Sequence, residues 1–461
     1  MRFSQSKRSS FRPSLSFILF IVLIGVLWLA GGASRSDALG QTVVRTAAWL
    51  SLIVFAFFGS RPCCDGSRSV SILLGLATGL VLVQLVPLPP AFWLALPGRA
   101  TLADAAVVGG FPQPWRPWAI APDATVNAAS SLIVPIAVFV LLTGLNPAER
   151  SRTPGVMLCI VTASTVLALI QVSVGNFDHP FVNDTVGQVG GIFANRNHFA
   201  LFTALGCLVA PVWAILGGRR PGWRAPVAFG LVLLFALTIL ASGSRAGLGL
   251  GAIGLTIGLF LARHGLRHEL RRAPRWAFPT VVAVIVLTIT IVVLISVGNN
   301  RAVAVNRVFI EEPGQDMRTR GLPTVFAMIR DYFPFGSGFG GFDTIFRMHE
   351  PFALLKVTYF NHAHNDFFEI VLDSGLPGLL LLLGALAWWA VSSVRTWRSG
   401  LSDTDVYAKL GSAILLLIII ASAFDYPART PMIMACVVIA ALWLNGWATP
   451  RSALPSDGQS I

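Results

Sequence analysis

The stretch Asn361 to Gly378, NHAHNDFFEIVLDSGLPG, brings two histidines, two amides and three carboxylates together within thirteen residues. It runs directly into LLLLLGALAWWAV, which is apolar enough to enter a bilayer as helix. An imidazole titrates near neutrality, so His364 or its neighbour His362 can take a proton from a hydroxyl and steady the charge that develops. Asp366, Glu369 and Asp373 follow at i, i+3 and i+7 and share one helix face. Ionisable groups inside a span are costly and usually face a bundle interior or a wet cavity. Two uses fit such a face: substrate handling, or pairing with arginines to hold the bundle.

The arginines that would meet this stretch are scattered. Arg196 stands in FANRNHFA, Arg245 in SGSRAG, Arg318 and Arg320 in DMRTRG, and Arg429 in FDYPART. A guanidinium stays charged and grips phosphate oxygens in a two-pronged geometry. Several of them around one cavity suit a diphosphate that departs as a leaving group. The plainer reading of each is a solvated or headgroup-contacting side chain. Acidic residues in the outer loops form no DxD-type pair, and the five cysteines show neither zinc spacing nor a disulfide framework. The sequence therefore predicts no metal and no cofactor.

The elements that must position these residues are membrane helices. Of 461 residues 55% are hydrophobic and only 12% charged, with mean hydropathy +0.72, far from the roughly 25% charge of a soluble domain. Apolar runs near the bilayer-spanning length occur at 15–33, 42–59, 70–87, 127–145, 155–174, 197–216, 225–241, 246–263, 276–298, 367–391, 409–424 and 430–447. The fold class is thus an all-α polytopic membrane protein of about twelve transmembrane helices. The net charge of +13 does not indicate nucleic acid, because the basic residues fall mostly in short loops between apolar runs. Placing the N-terminus in the cytoplasm puts 20 of the 34 Lys and Arg on the inner side. Both termini are then cytoplasmic, with 1–14 an N-terminal tail, 15–447 one transmembrane domain and 448–461 a disordered tail. The first run is followed by GGASRSDA, which also fits a cleaved signal peptide. Two outer segments are long. The Pro- and Trp-rich 88–126 suits the membrane interface, and 299–366, between spans nine and ten, is long enough for helices that cap the bundle. Within the latter, TVFAMIRDYF has amphipathic helical spacing and GSGFGGF reads as a tight turn.

These motifs resemble those of the O-antigen ligase and polymerase superfamily of bacterial envelope glycosyltransferases. The family pattern is a histidine, then Asn, Ser or Gln, nine residues, Gly, two residues, and Gly, Thr or Tyr. His364-Asn365, Gly375 and Gly378 fit it without a gap. SGSRAG around Arg245 and RTRGLPTVFAMIRDYFPFGSGFGGF are similar to the family's other conserved pieces, with Arg318 or Arg320 as its loop arginine. The resemblance implies an enzyme of the inner membrane whose site faces the periplasm. It implies a donor glycan on undecaprenyl diphosphate and an acceptor hydroxyl on lipid A core or on another lipid-linked glycan. Transfer would be metal-independent and inverting. His364 would activate the acceptor, Arg245 and Arg318 would hold the diphosphate, and Asn365 would orient His364. Arg320, Arg196, Arg429, His362 and Glu369 complete the expected substrate-binding set. A ligase, a polymerase of O-antigen or exopolysaccharide units, and a lipid-linked glycan transporter are the three readings. A transporter would more often show repeated halves, and the sequence has none.

Overall fold

A computed structural model describes residues 11–60, 66–174, 179–182, 189–216, 222–272, 317–355, 360–399 and 406–447. The described chain begins with α1 (Leu15–Ala30), α2 (Leu39–Phe58) and α3 (Arg68–Val83). A short two-stranded pairing follows, β1 (Pro87–Leu88) with β2 (Arg116–Pro117), enclosing α4 (Pro90–Leu94) and α5 (Ala100–Val108). Next come α6 (Pro122–Ser131), α7 (Ile133–Thr143), α8 (Pro147–Arg150), α9 (Thr153–Val174), α10 (Arg196–Ile215), α11 (Arg224–Ser242) and α12 (Arg245–Arg272). The last elements are α13 (Met317–Tyr332), α14 (Phe342–His349), α15 (Asp366–Arg398), α16 (Val406–Ser422) and α17 (Pro431–Leu444).

Among the described residues seven helical lengths are long and apolar enough to cross a membrane, and four shorter apolar helices accompany them. The protein is an all-α multi-pass membrane protein, apart from the two-residue strands. The expected span 276–298 and the first part of the long loop, 299–316, lie outside the described residues, as does the tail 448–461. Large apolar side chains such as Trp49, Phe57, Phe58, Leu380 and Leu383 are exposed, as a surface facing lipid requires.

Helix α10 is the axis of the bundle and is almost wholly buried. It is apolar all round, the pattern of a helix with no solvent or lipid face. It packs on α9, α11, α12 and α16. Its closest neighbour is α12, whose RAGLGLGAIGLTIGLF puts glycines on the seam. A Cβ at Gly258 would stand 2.7 Å from the Leu208 carbonyl oxygen, and one at Gly254 2.9 Å from that of Ala204. Small residues let two backbones approach in this way where no hydrophobic drive separates helix from lipid.

A second apolar core lies over one end of the bundle. Val325, Met328 and Tyr332 of α13 pack with Phe342, Ile345 and Phe346 of α14 and with Phe360, Ala363 and Leu372. The expected amphipathic helix TVFAMIRDYF is the second half of α13. The Pro/Trp-rich segment joins this cap rather than standing alone. Buried Arg99 donates to the carbonyls of Trp118 (2.8 Å) and Gly336 (3.2 Å), and the Ile120 amide donates to Ser337 O at 2.8 Å. Loop backbone that leaves water must find such partners, which composition alone did not specify.

The cap is fastened to α15 at Gly375. There the helix breaks, with φ 57° and ψ −137°, and the Leu376 amide donates to Pro334 O at 2.7 Å. A Cβ at Gly375 would lie 2.0 Å from that same oxygen. Glycine is required for both reasons, the positive φ and the close approach. Gly375→Ala is expected to cost about 1–3 kcal/mol of stability through strain at this position, read as a lowered thermal midpoint of the detergent-purified protein.

Candidate active site

The site is built at the N-terminal end of α15. Asn365 caps the helix, its side-chain oxygen accepting from the Phe368 amide (3.1 Å) while its amide donates to Ala423 O (2.9 Å). His364 precedes the cap with φ 50°, a left-handed conformation uncommon for a side-chain-bearing residue. Such strain persists where the surroundings over-determine it. Here the apolar core below Ala363 and the cap at Asn365 fix both flanks.

His364 Nδ1 lies 3.0 Å from Asp425 Oδ1, in the loop between α16 and α17. Asp425 also receives hydrogen bonds from two other elements. Asn195 and Asn197, at the start of α10, donate to its Oδ2 at 3.0 and 2.9 Å, and Arg318 of α13 donates at 3.4 Å. Buried His198 stands 3.8 Å away and shares a 3.1 Å hydrogen bond with Thr430. Burial works to raise the Asp425 carboxyl. Hydrogen bonds from His198 and His364, with the charges of His198 and Arg318, outweigh it and hold the group well below the usual carboxylate range. An ionised carboxylate can only accept, so His364 Nδ1 carries the proton and donates. Neutral His364 then keeps its lone pair on Nε2, the arrangement of a general base.

Arg245 opens α12 and is exposed. Its neighbour Ser244 donates to Asn197 Oδ1 at 2.8 Å, so the α11–α12 turn is tied to the Asp425 cluster through Asn197. Arg196 is half-buried between Asn195 and Asn197. Arg318 also donates to Phe424 O (3.2 Å) and keeps 35% of its side chain exposed. Arg320, the other possibility in DMRTRG, donates instead to Ala353 O at 3.0 Å. Geometry therefore joins Arg318, not Arg320, to His364.

A second ionic cluster sits beside the first. Arg429 meets all three carboxylates of α15: Asp366 and Asp373 at 3.3 Å and Glu369 at 3.1 Å. Burial opposes the charge of Arg429, but the fields of Glu369, Asp373 and Asp366 raise its pKa above the ordinary arginine value. Glu369 is fully buried, and its oxygens also take His362 Nδ1 and the Ala363 amide, each at 2.8 Å. The Tyr426 ring stands among three imidazoles, its centroid 4.1 Å from His362, 5.0 Å from His198 and 5.1 Å from His364. Burial, then the charge of Asp425, pushes its hydroxyl up to about 12, so it stays protonated.

Three of the expected residues have partners within the protein. Asn365 does not touch the His364 ring; it caps the helix, and Asp425 holds the imidazole. Glu369 and Arg429 bind each other, and Glu369 reaches a ligand only through His362. Sequence reasoning missed Asp425, Tyr426, His198, Asn195 and Asn197. The signal is present in FDYPART and FANRNHFA, where several polar residues besides the arginine interrupt apolar runs. Among the described residues no group of three or more His, Cys, Asp or Glu is arranged to hold a metal ion.

The model of the family described as O-antigen ligase matches residues 229–383. This part of the chain is similar to the O-antigen ligase family. The matched stretch contains Arg245, Arg318, His362 and His364, while Asp425 and the Asn195–His198 turn lie beyond it on either side. The matched segment thus supplies the imidazole, and flanking elements supply what orients it. No curated protein matches the chain.

Asp425→Asn is expected to lower turnover at least about 100-fold, since an amide can donate to Nδ1 and favour the wrong tautomer. KM should change little. A depressed carboxyl pKa contributes stability that is present above the ordinary aspartate value near pH 4 and is lost as pH falls through the folded value. The thermal midpoint of the wild type should therefore fall below about pH 4, and that of Asp425→Asn should respond less.

Proposed function

We propose that this protein transfers a glycan from undecaprenyl diphosphate to a sugar hydroxyl of lipid A core, at the periplasmic face of the bacterial inner membrane. His364 Nε2 takes the proton of the acceptor hydroxyl, whose oxygen attacks the anomeric carbon from the face opposite the diphosphate. The bond from that carbon to the diphosphate oxygen breaks, the configuration inverts, and undecaprenyl diphosphate leaves. Arg318 and Arg245 bind the diphosphate and stabilise the charge it gains. The step needs no metal, because guanidiniums meet the leaving-group charge.

The observation that carries this reading is the His364–Asp425 hydrogen bond with Arg318 on the same carboxylate. One buried anion fixes the base and draws a phosphate-binding cation to it. The family's description as O-antigen ligase favours the ligase over a polymerase.

His364→Ala should abolish transfer in a reconstituted assay with purified lipid-linked donor while membrane insertion is unchanged; full activity in that variant removes the assignment. In cells, a deletion strain should lose all polymer from lipid A core and accumulate lipid-linked polymer. A single repeat left on the core would instead identify a polymerase. If the arginines grip phosphate in two-pronged fashion, Arg245→Lys and Arg318→Lys should each lose at least about 10-fold, close to their alanine counterparts; free substitution by lysine would reduce them to point charges.

A further inference from the structure

A cavity of about 920 Å³ opens beside the second cluster, at the upper end of the range for small-molecule sites. Its lining reaches His362, Asp366 and Arg429, and does not include His364, Asp425 or Arg318. One part is apolar: Leu73, Ala77 and Leu80 of α3 face Leu381, Leu382 and Ala385 of α15. The other is polar and centres on Arg45.

Arg45 stands in the second turn of α2, inside an apolar helix. Its guanidinium donates to two neutral oxygens, Gln41 Oε1 at 3.0 Å and Asn127 Oδ1 at 2.8 Å. Its Nε is buried without a hydrogen-bond partner, and among the described residues no carboxylate pairs with it. The acidic groups of the lining are otherwise engaged or outward: Asp37 pairs with Arg35, Asp343 with Arg347 and Asp366 with Arg429, while Asp123 is exposed. A cation inside a span without a protein counter-ion is costly. A ligand anion would relieve that cost, and the apolar walls require the same ligand to carry hydrocarbon.

We propose that this cavity binds the phosphorylated lipid that carries the acceptor, its phosphate on Arg45 and its chain between α3 and α15. This rests on the glycosyl-transfer reading. The acceptor's sugars then enter from the His362 side, while the donor diphosphate meets Arg318 on the other side of Tyr426. His362, its Nδ1 held by Glu369, presents its remaining ring nitrogen to the acceptor as a positioning group.

The test uses full-length protein in detergent micelles, mixed with undecaprenyl phosphate, lipid A or phosphatidylglycerol, with retained lipid counted by native mass spectrometry. Arg45→Gln removes the charge and Leu381→Trp fills the apolar part. Both should lower retention of undecaprenyl phosphate or lipid A at least 10-fold, whereas Arg330→Ala, exposed on the cap and remote from the cavity lining, should retain it. Preference for lipid A points to a core acceptor, and preference for undecaprenyl phosphate to a lipid-linked one; either supports the proposal. Unchanged retention in both cavity variants, or equal retention of phosphatidylglycerol, overturns it. Failure of the glycosyl-transfer reading would show separately, as full activity of His364→Ala.

Discussion

A single buried carboxylate organises the candidate site of this protein. Asp425 is nearly inaccessible, and a charge in that position is tolerated only if its lone pairs are filled. Two asparagine amides from α10, an imidazole from the start of α15 and a guanidinium from the cap fill them. The donors come from three different elements, so satisfying the charge also fixes where those elements meet. The tautomer of His364 is a consequence: beside an ionised acceptor Nδ1 must donate, and the basic lone pair belongs to Nε2.

The second cluster has the opposite arrangement, one guanidinium among three carboxylates. Arg429 joins the α16–α17 loop to the face of α15 that carries Asp366, Glu369 and Asp373. Through Glu369 it also sets the ring of His362. Asp425 and Arg429 are four residues apart in one loop, so that loop positions both imidazoles. Tyr426 lies between them and contacts each ring, keeping the two environments separate while its hydroxyl accepts from Asn361 at 3.3 Å.

Beneath these clusters the bundle supplies rigidity. The glycine seam of α12 lets it press against α10, and α10 presents Asn195, Asn197 and His198 at its end. From the other side the cap holds α15 at Gly375, eleven residues beyond His364. The motif glycine and the motif histidine are therefore linked mechanically: one fixes the helix against the cap, and the other projects from the start of that helix.

By itself the sequence determined the class of the molecule and pointed to several residues of its candidate site. Apolar runs of bilayer length admit only helices, because backbone groups in hydrocarbon must bond within their own segment. His364, Arg245 and the Arg318/Arg320 pair stood out by residue type and the amphipathic helix at TVFAMIRDYF by spacing, which are local properties, while the histidine motif came with the family resemblance. The partner of His364 did not stand out. Asp425 lies 61 residues further on, and its asparagine donors more than 220 residues before it. Nothing in a lone Asp of FDYPART separates a solvated loop residue from the acceptor of the His364 imidazole. The same distance hid the three-carboxylate grip on Arg429 and the neutral surroundings of Arg45. Charge pairing across helices depends on which faces meet, and only the packed bundle decides that.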